Sequence, residues 1–312
     1  MSCLICGSGE SRPFLKSHDR LFGIAPGEFS LVECGGCGLV RLDPFPEPEE
    51  LASFYRGGYW FAGGESTAGR LEEIYRRLVL RDHLAFAAGC VRGPGTILDV
   101  GCSGGLFLRM MRERGFGDVL GFDFSADAAR VAEEKNGIRV LVGDLREAEI
   151  PEGSCALVTM YHVLEHLLDP AAYLCASRRL MRPDGRLIVQ VPDRDCWEAE
   201  MLGANWTGLD VPRHIHVFRS RDLRQLLEKC GFEVVREKHF SLRDHPAGLA
   251  TGLFPSLDPV ARGIRQADSS GSVRLAKGLL YFGVTLAALP FTLIEAMFGR
   301  GSSVMVEARR RS

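Results

Sequence analysis

The chain has 312 residues, 46% of them hydrophobic and 25% charged, with a formal net charge of −2 and an isoelectric point near 6.5. That is an ordinary globular balance with room for one full α/β domain plus appendages. The near-neutral charge excludes a global electrostatic pull toward nucleic acid, and Met1-Ser-Cys-Leu-Ile-Cys lacks the basic start and apolar core of a signal peptide, so the cytoplasm is the expected compartment.

Two Cys-x-x-Cys turns come first, Cys3-Leu-Ile-Cys6 and Cys34-Gly-Gly-Cys37, separated by 27 residues. Each presents two thiolates, and the glycines that follow allow the close backbone approach such a turn needs. Four thiolates in a tetrahedral set select zinc and leave no open position. Residues 1–43 contain too few apolar side chains for a core of their own, so zinc on Cys3, Cys6, Cys34 and Cys37 is expected to hold this knuckle, at on the order of 10 kcal/mol toward folding. The other six cysteines are scattered singly and read as small buried hydrophobes. Arg12, Lys16, Arg20 and Arg41 alternate with Glu10, Asp19, Glu28, Glu33 and Asp43, so there is no basic stripe and nucleic-acid binding has no support.

Residues 44–69, with Pro44, Pro46 and Pro48, read as a linker containing a short helix from 48 to 55. Its aromatics Tyr55, Tyr59 and Trp60 could pack locally or form a lid. A helix over 71–88 carries apolar residues at 71, 74, 75, 78, 79 and 84, near the helical period. Strands and helices then alternate: 96–100, helix 104–115, 118–123, helix 125–136, 138–142, 154–160, a helix opened by Asp169-Pro170, 186–191, a helix capped by Ser220 and stopped by Gly231, and 232–240. Such alternation predicts a parallel sheet covered on both faces.

Within that core, Thr96-Ile-Leu-Asp-Val-Gly-Cys-Ser-Gly-Gly105 delivers glycines from a buried strand to a helix N-terminus, where a ligand can approach bare N–H groups. Asp123 ends the next strand, 22 residues beyond Gly101, about where a carboxylate grips ribose hydroxyls in a doubly wound sheet. The turn is neither a dinucleotide fingerprint nor a P-loop, so a nucleoside cofactor without phosphates fits it best.

These residues resemble the class I S-adenosylmethionine-dependent methyltransferases. Leu98-Asp-Val-Gly-Cys-Ser-Gly-Gly105 is similar to the first motif of that family, with Ser103 where the middle glycine usually sits. Gly121-Phe-Asp-Phe-Ser125 resembles the ribose motif and Gly143-Asp144 the adenine pair. Tyr161-His-Val-Leu-Glu-His166 and Leu180-Met-Arg-Pro-Asp-Gly-Arg186 resemble the signatures of the fourth and fifth strands. The resemblance implies a Rossmann-like seven-stranded sheet, six strands parallel and the last antiparallel. It implies S-adenosylmethionine held by Asp99, Gly101, Ser103, Gly104, Gly105, Asp123, Phe124, Asp144, Leu145 and Tyr161. Zinc knuckles precede such domains in sugar- and ribosomal-RNA-modifying families.

The core is expected over 70–240, with its last strand in 300–312. Residues 241–299 are then an insertion whose ends meet at one sheet. From Gly278 to Ile294 it has no charge for 17 residues, a helix of ~26 Å interrupted by Pro290 and short of a hydrocarbon core of about 30 Å. Contact with a membrane surface, a homodimer interface through 275–298, and a cover for the substrate pocket all remain open.

Methyl transfer needs an aligned acceptor, and a base helps when the acceptor is a hydroxyl. Two stretches at the carboxyl edge offer one. In 162–166, a helix would put His162 and His166 on one face. Quinone-pathway O-methyltransferases resemble this stretch and bind a divalent ion there through two glutamates and a histidine, but His162 stands in place of the first glutamate. In Asp210-Val-Pro-Arg213-His214-Ile-His216, Arg213 could clamp an anionic acceptor, with Trp206 and His216 beside it and His214 ahead of His166 as base. Alternation would place His214 and His216 on one face. Sugar- and polysaccharide-tailoring methyltransferases look similar here. The expected acceptor is a small or glycan-like hydroxylated molecule, such as a nucleotide-sugar. A quinone or lipid, an RNA, or an inactive scaffold role are the alternatives.

Overall fold

A computed structural model of the chain describes residues 2–55, 67–265 and 270–311; Tyr59 and Trp60 lie outside the described residues. Strands β1 (Ser11–Ser17), β2 (Phe29–Cys34) and β3 (Val40–Leu42) form an antiparallel sheet, followed by helix α1 (Pro48–Ser53). The expected helix over 71–88 is two, α2 (Thr67–Val79) and α3 (Arg81–Ala88). The break at Leu80 suits α3, whose Asp82 accepts from Lys238 Nζ at 2.7 Å and whose His83 Nε2 meets Gln190 Oε1 at 2.6 Å. Those tertiary bonds set the axis of α3 independently of α2.

Next come β4 (Thr96–Val100), α4 (Leu106–Glu113), β5 (Val119–Asp123), α5 (Ala126–Asn136), β6 (Val140–Val142), β7 (Cys155–Tyr161), α6 (Pro170–Leu180) and β8 (Met181–Pro192). Asp169 caps α6 by accepting from Ala172 N at 3.0 Å, with Pro170 at the first turn. The expected turn at Pro183-Asp-Gly185 lies inside β8, whose pairing with β7 jumps from Met181 to Arg186. After α7 (Trp197–Leu202) and β9 (His216–Val217), α8 (Ser220–Lys229) is capped at Arg219, with Asp222 accepting the Arg219 N–H; Ser220 instead bonds Asp193. The chain continues through β10 (Phe232–Lys238), α9 (His245–Leu253), α10 (Pro259–Ile264), α11 (Gly271–Met297) and β11 (Ser303–Arg310).

The large sheet has seven strands in the order β10-β11-β8-β7-β4-β5-β6. Only β11 runs antiparallel to its neighbours. Leu98, Val158, Leu187 and Val189 are fully buried at its centre, as helices on both faces require. The knuckle is not an isolated module. Strand β9, from within the core, pairs with β3 as the fourth strand of the small sheet. Leu31, Val40 and Leu42 share a core with Trp206, Leu209, Val211 and Val217, supplying the apolar packing that residues 1–43 lack alone.

Candidate active site

The doubly wound order reverses at β4, flanked by β5 and β7, and ligands bind beyond the carboxyl ends of strands at such a point. Gly101 leaves β4 at φ +74°, where a Cβ would stand 2.6 Å from Val163 Cγ2, so no other residue lets these two loops meet. Ser103 follows at φ +50°, a left-handed backbone that favours glycine. Its N–H donates to Asp123 Oδ2 at 3.0 Å, and Ser125 N donates to Asp123 Oδ1 at 2.9 Å. Asp123 is 1% exposed, and burial raises its pKa although both N–H groups favour the ionised form.

Burial likewise raises Asp99 to about 7, while Thr159 Oγ1 donates to it at 2.6 Å. Asp144 caps a 3-10 turn by accepting from Arg146 N at 2.9 Å, and Leu145 behind it is fully buried. Tyr161 packs edge-on against His83 and Phe107, and its buried hydroxyl has no hydrogen-bond partner among the described residues. Phe124, 57% exposed, lies 5.6 Å from the Tyr55 ring.

These residues fit an adenosine ligand. A strand-end carboxylate faces the glycine turn, Tyr161 holds an orphaned hydroxyl, Phe124 offers an aromatic face, and Gly101–Gly105 contains no cation to meet a phosphate.

A second cluster adjoins the first through Tyr55, whose hydroxyl lies 2.8 Å from His166 Nδ1. The same Nδ1 is 3.1 Å from the Arg213 carbonyl, and His214 Nδ1 is 2.8 Å from the Gly208 carbonyl. A carbonyl only accepts, so each Nδ1 is the donor to it, which makes Nε2 the atom that carries the lone pair of the neutral ring. The two rings meet edge-on at 4.6 Å, and ligand atoms of Glu165, His166 and His214 all lie within 4.8 Å of one another. Burial, reinforced by His214, lowers His166 to about 4, so its imidazole is neutral at pH 7.

The segment 162–166 is not helical from its start. His162 sits at φ +56° and only 164–166 form a 3-10 turn, so His162 and His166 have different neighbours. His162 Nδ1 is 3.1 Å from Glu165 Oε1 and its Nε2 is 3.4 Å from Asp244 Oδ2. Burial opposes its charge, but Asp244 and Glu165 raise it to about 9. An imidazolium at this place cannot ligate a cation as the first glutamate of a quinone-type set would. Gln190 extends the network, donating to Asp244 Oδ2 at 2.7 Å. Asp244 was hidden in the insertion, whereas Gln190, a polar residue in an apolar strand, was a readable signal.

Three expected substrate contacts are placed otherwise. Arg213 is fully buried, with its guanidinium on the carboxylates of Asp19 and Asp210 and over the Phe22 ring at 4.4 Å. It is an internal tie, not an acceptor clamp. Trp206 is buried in the small-sheet core, its indole N–H without a partner among the described residues. His216 is 1% exposed, between Phe45 and Phe218, apart from His214 because β9 spans two residues only.

At the other end, Cys3 Sγ lies 3.5 Å from Cys37 Sγ, and Cys6 Sγ lies 3.5 Å from Cys34 Sγ. All four sulfurs fall within 4.8 Å of one another, close to the ~3.8 Å edge of a zinc–thiolate tetrahedron with bonds of about 2.3 Å. Burial raises Cys34, but N–H groups of Cys37 and Gly36 outweigh it and bring the thiol to about 6. The donor set fits a closed metal centre.

The glycine turn, the strand-end acid and the seven-stranded order are those of a Rossmann-like methyltransferase domain. A family model described as a methyltransferase domain matches residues 71–237, and the chain belongs to that family. A protein of Mycolicibacterium smegmatis named probable S-adenosylmethionine-dependent methyltransferase is 29% identical over 56% of this chain and 60% of its own length. The ubiquinone biosynthesis O-methyltransferase of Cereibacter sphaeroides is 30% identical over 46% of this chain and 62% of its own. The chain thus spans about three fifths of these relatives. Among solved structures, a methyltransferase from Archaeoglobus fulgidus superposes with a TM-score of 0.50 at 18% identity, covering 78% of this chain and all of that one. The cyclase SpnF superposes at 0.52 and 16% identity, covering 86% and 97%, so this fold alone does not fix a reaction.

Proposed function

We propose that the chain methylates a hydroxyl of a small or glycan-like acceptor, with His214 as base and His166 beside it. The observation carrying this reading is the pair of imidazoles whose Nδ1 atoms each meet a backbone carbonyl, joined to the ribose motif through Tyr55 and Phe124. When bound, S-adenosylmethionine supplies an electrophilic methyl group on a sulfonium. Asp123 would hold its ribose hydroxyls, Asp144 and Leu145 would border its adenine, and the turn from Gly101 to Gly105 would leave room for its methionyl end against bare backbone. Asp99 and Tyr161 line that end. His214 would take the acceptor's hydroxyl proton at Nε2, and His166, neutral at pH 7, keeps a second lone pair at hand.

The reading treats 1–43 as a zinc module on Cys3, Cys6, Cys34 and Cys37, 44–69 as linker, 70–240 with 300–312 as the catalytic core, and 241–299 as an insertion. A quinol acceptor is the second reading, favoured by the ubiquinone O-methyltransferases among the relatives. Mass spectrometry of S-adenosylmethionine incubations with nucleotide-sugars, free sugars and quinols separates them. A one-methylene gain on a sugar-type hydroxyl, reduced about 10²–10⁴-fold by His214→Gln, is expected. Turnover of quinols alone, or full activity in His214→Gln, would contradict the proposal.

A further inference from the structure

Helix α11 is built inside out. Its buried residues are Thr285, Ala288, Thr292 and Glu295. From 279 to 298 every exposed residue is apolar, glycine or proline, including Leu279, Phe282, Leu286, Ile294, Met297 (85%) and Phe298 (70%). A helix facing water on a globular surface shows the reverse polarity. Leu253 and Phe254, at the end of α9, extend the exposed apolar area. A contiguous apolar surface of this kind marks an interaction face.

The helix cannot be immersed as a crossing span. Its Tyr281 hydroxyl bonds Thr251 at 2.9 Å, Glu295 Oε1 accepts from Glu198 N at 3.0 Å, and the chain then enters β11 beside β8. Body contacts at both the middle and the end lay α11 flat, one side on protein and the other outward.

Charge identifies what covers the outward side. Arg274 and Lys277 stand at the start of α11, Arg300 just beyond its end is paired with Glu200, and the one acid of the helix, Glu295, is fully buried. Arg76, Arg262 and Arg274, with Glu72, Tyr75 and Ser270, line a cavity of about 670 Å³ beside the first turn. An apolar stripe running from a cationic first turn complements acyl chains beneath phosphate headgroups. A second copy fits poorly. Packed parallel, two such helices set Arg274 and Lys277 against their own copies.

We propose that α11 is an interfacial helix that seats the chain on an anionic bilayer, with the arginine-lined cavity at the headgroup level. The inference does not depend on which acceptor is methylated. The test is flotation of the full chain with vesicles of phosphatidylcholine, alone or with phosphatidylglycerol. The wild type should float with anionic vesicles at low salt. The triple variant Leu279→Ser/Leu286→Ser/Ile294→Ser, with circular dichroism unchanged, should partition at least about tenfold less. Arg274→Gln/Lys277→Gln should lose the preference for anionic vesicles while retaining part of the binding. Absence of wild-type flotation, or equal flotation of the triple variant, overturns the proposal. So does a wild-type dimer in sedimentation that the triple variant dissolves without any effect of vesicles.

Discussion

Asp19 and Arg213, 194 positions apart, form an ion pair whose two side chains are completely buried, with Nη2 2.8 Å from Oδ1 and Nη1 3.2 Å from Oδ2. Asp210 holds the same guanidinium at 2.7 Å, and the residue after Arg213 is His214. The small sheet is thereby tied to the backbone that presents the candidate base. Two residues on, β9 closes that sheet.

Breaking this tie should be costly. Arg213→Ala leaves buried carboxylates unpaired and is expected to lower stability by about 3–5 kcal/mol in denaturant unfolding. Burial alone would raise the Asp19 carboxyl, but Arg213 brings it to about 2. A depressed carboxyl contributes stability above its unfolded value of about 3.9, and that contribution is lost as pH falls toward 2. The wild type should therefore weaken through this window, and Arg213→Ala should show less of the slope.

His162 predicts the opposite pH trend. Burial opposes its charge, yet Asp244 and Glu165 raise it to about 9. Its contribution is complete below the unfolded value of about 6.5 and is lost as pH rises through 9. His162→Gln should be less stable at neutral pH and lack the alkaline decline, read as denaturation midpoints from pH 6 to about 10.

The four-cysteine centre should carry one zinc per chain by elemental analysis. Cys34→Ser or chelation should loosen β3 and, through it, β9. Amide exchange at 215–218 should then rise along with exchange in β1–β3, and methyl transfer should fall. Unchanged exchange in 215–218 would show that the small sheet does not brace the site.

The two histidines should separate kinetically. His166 keeps its lone pair down to about pH 4, because burial and His214 disfavour its charge. Its protonation should not produce a decline in kcat between pH 5 and 8. His214→Gln should lower kcat about 10²–10⁴-fold with adenosylhomocysteine affinity unchanged, and His166→Gln less.

The parallel core was legible because its signals are local: apolar runs ending in glycine, Asp169 with Pro170, and Gly231. The places of the glycine turn and of Asp123 followed, since both lie at strand ends. What stayed hidden depends on distant partners. Arg213 read as a free cation because Asp19 lies 194 positions away. Alternation paired His214 with His216, but β9 is too short to impose it. Leu80 interrupts a helix of the right period because Asp82 and His83 are anchored by Lys238 and Gln190. The knuckle looked coreless since its apolar partners, Trp206, Leu209 and Val211, belong to the core.

Calorimetric titration with adenosylhomocysteine tests the centre of the account, a nucleoside held between the Gly101 turn and Asp123. Wild-type protein should saturate at one site, and Asp123→Ala should bind about 10–100-fold more weakly, as loss of charge-assisted hydrogen bonds implies. A wild type that shows no saturation at millimolar ligand, or an Asp123→Ala variant that binds as tightly as wild type, would contradict it.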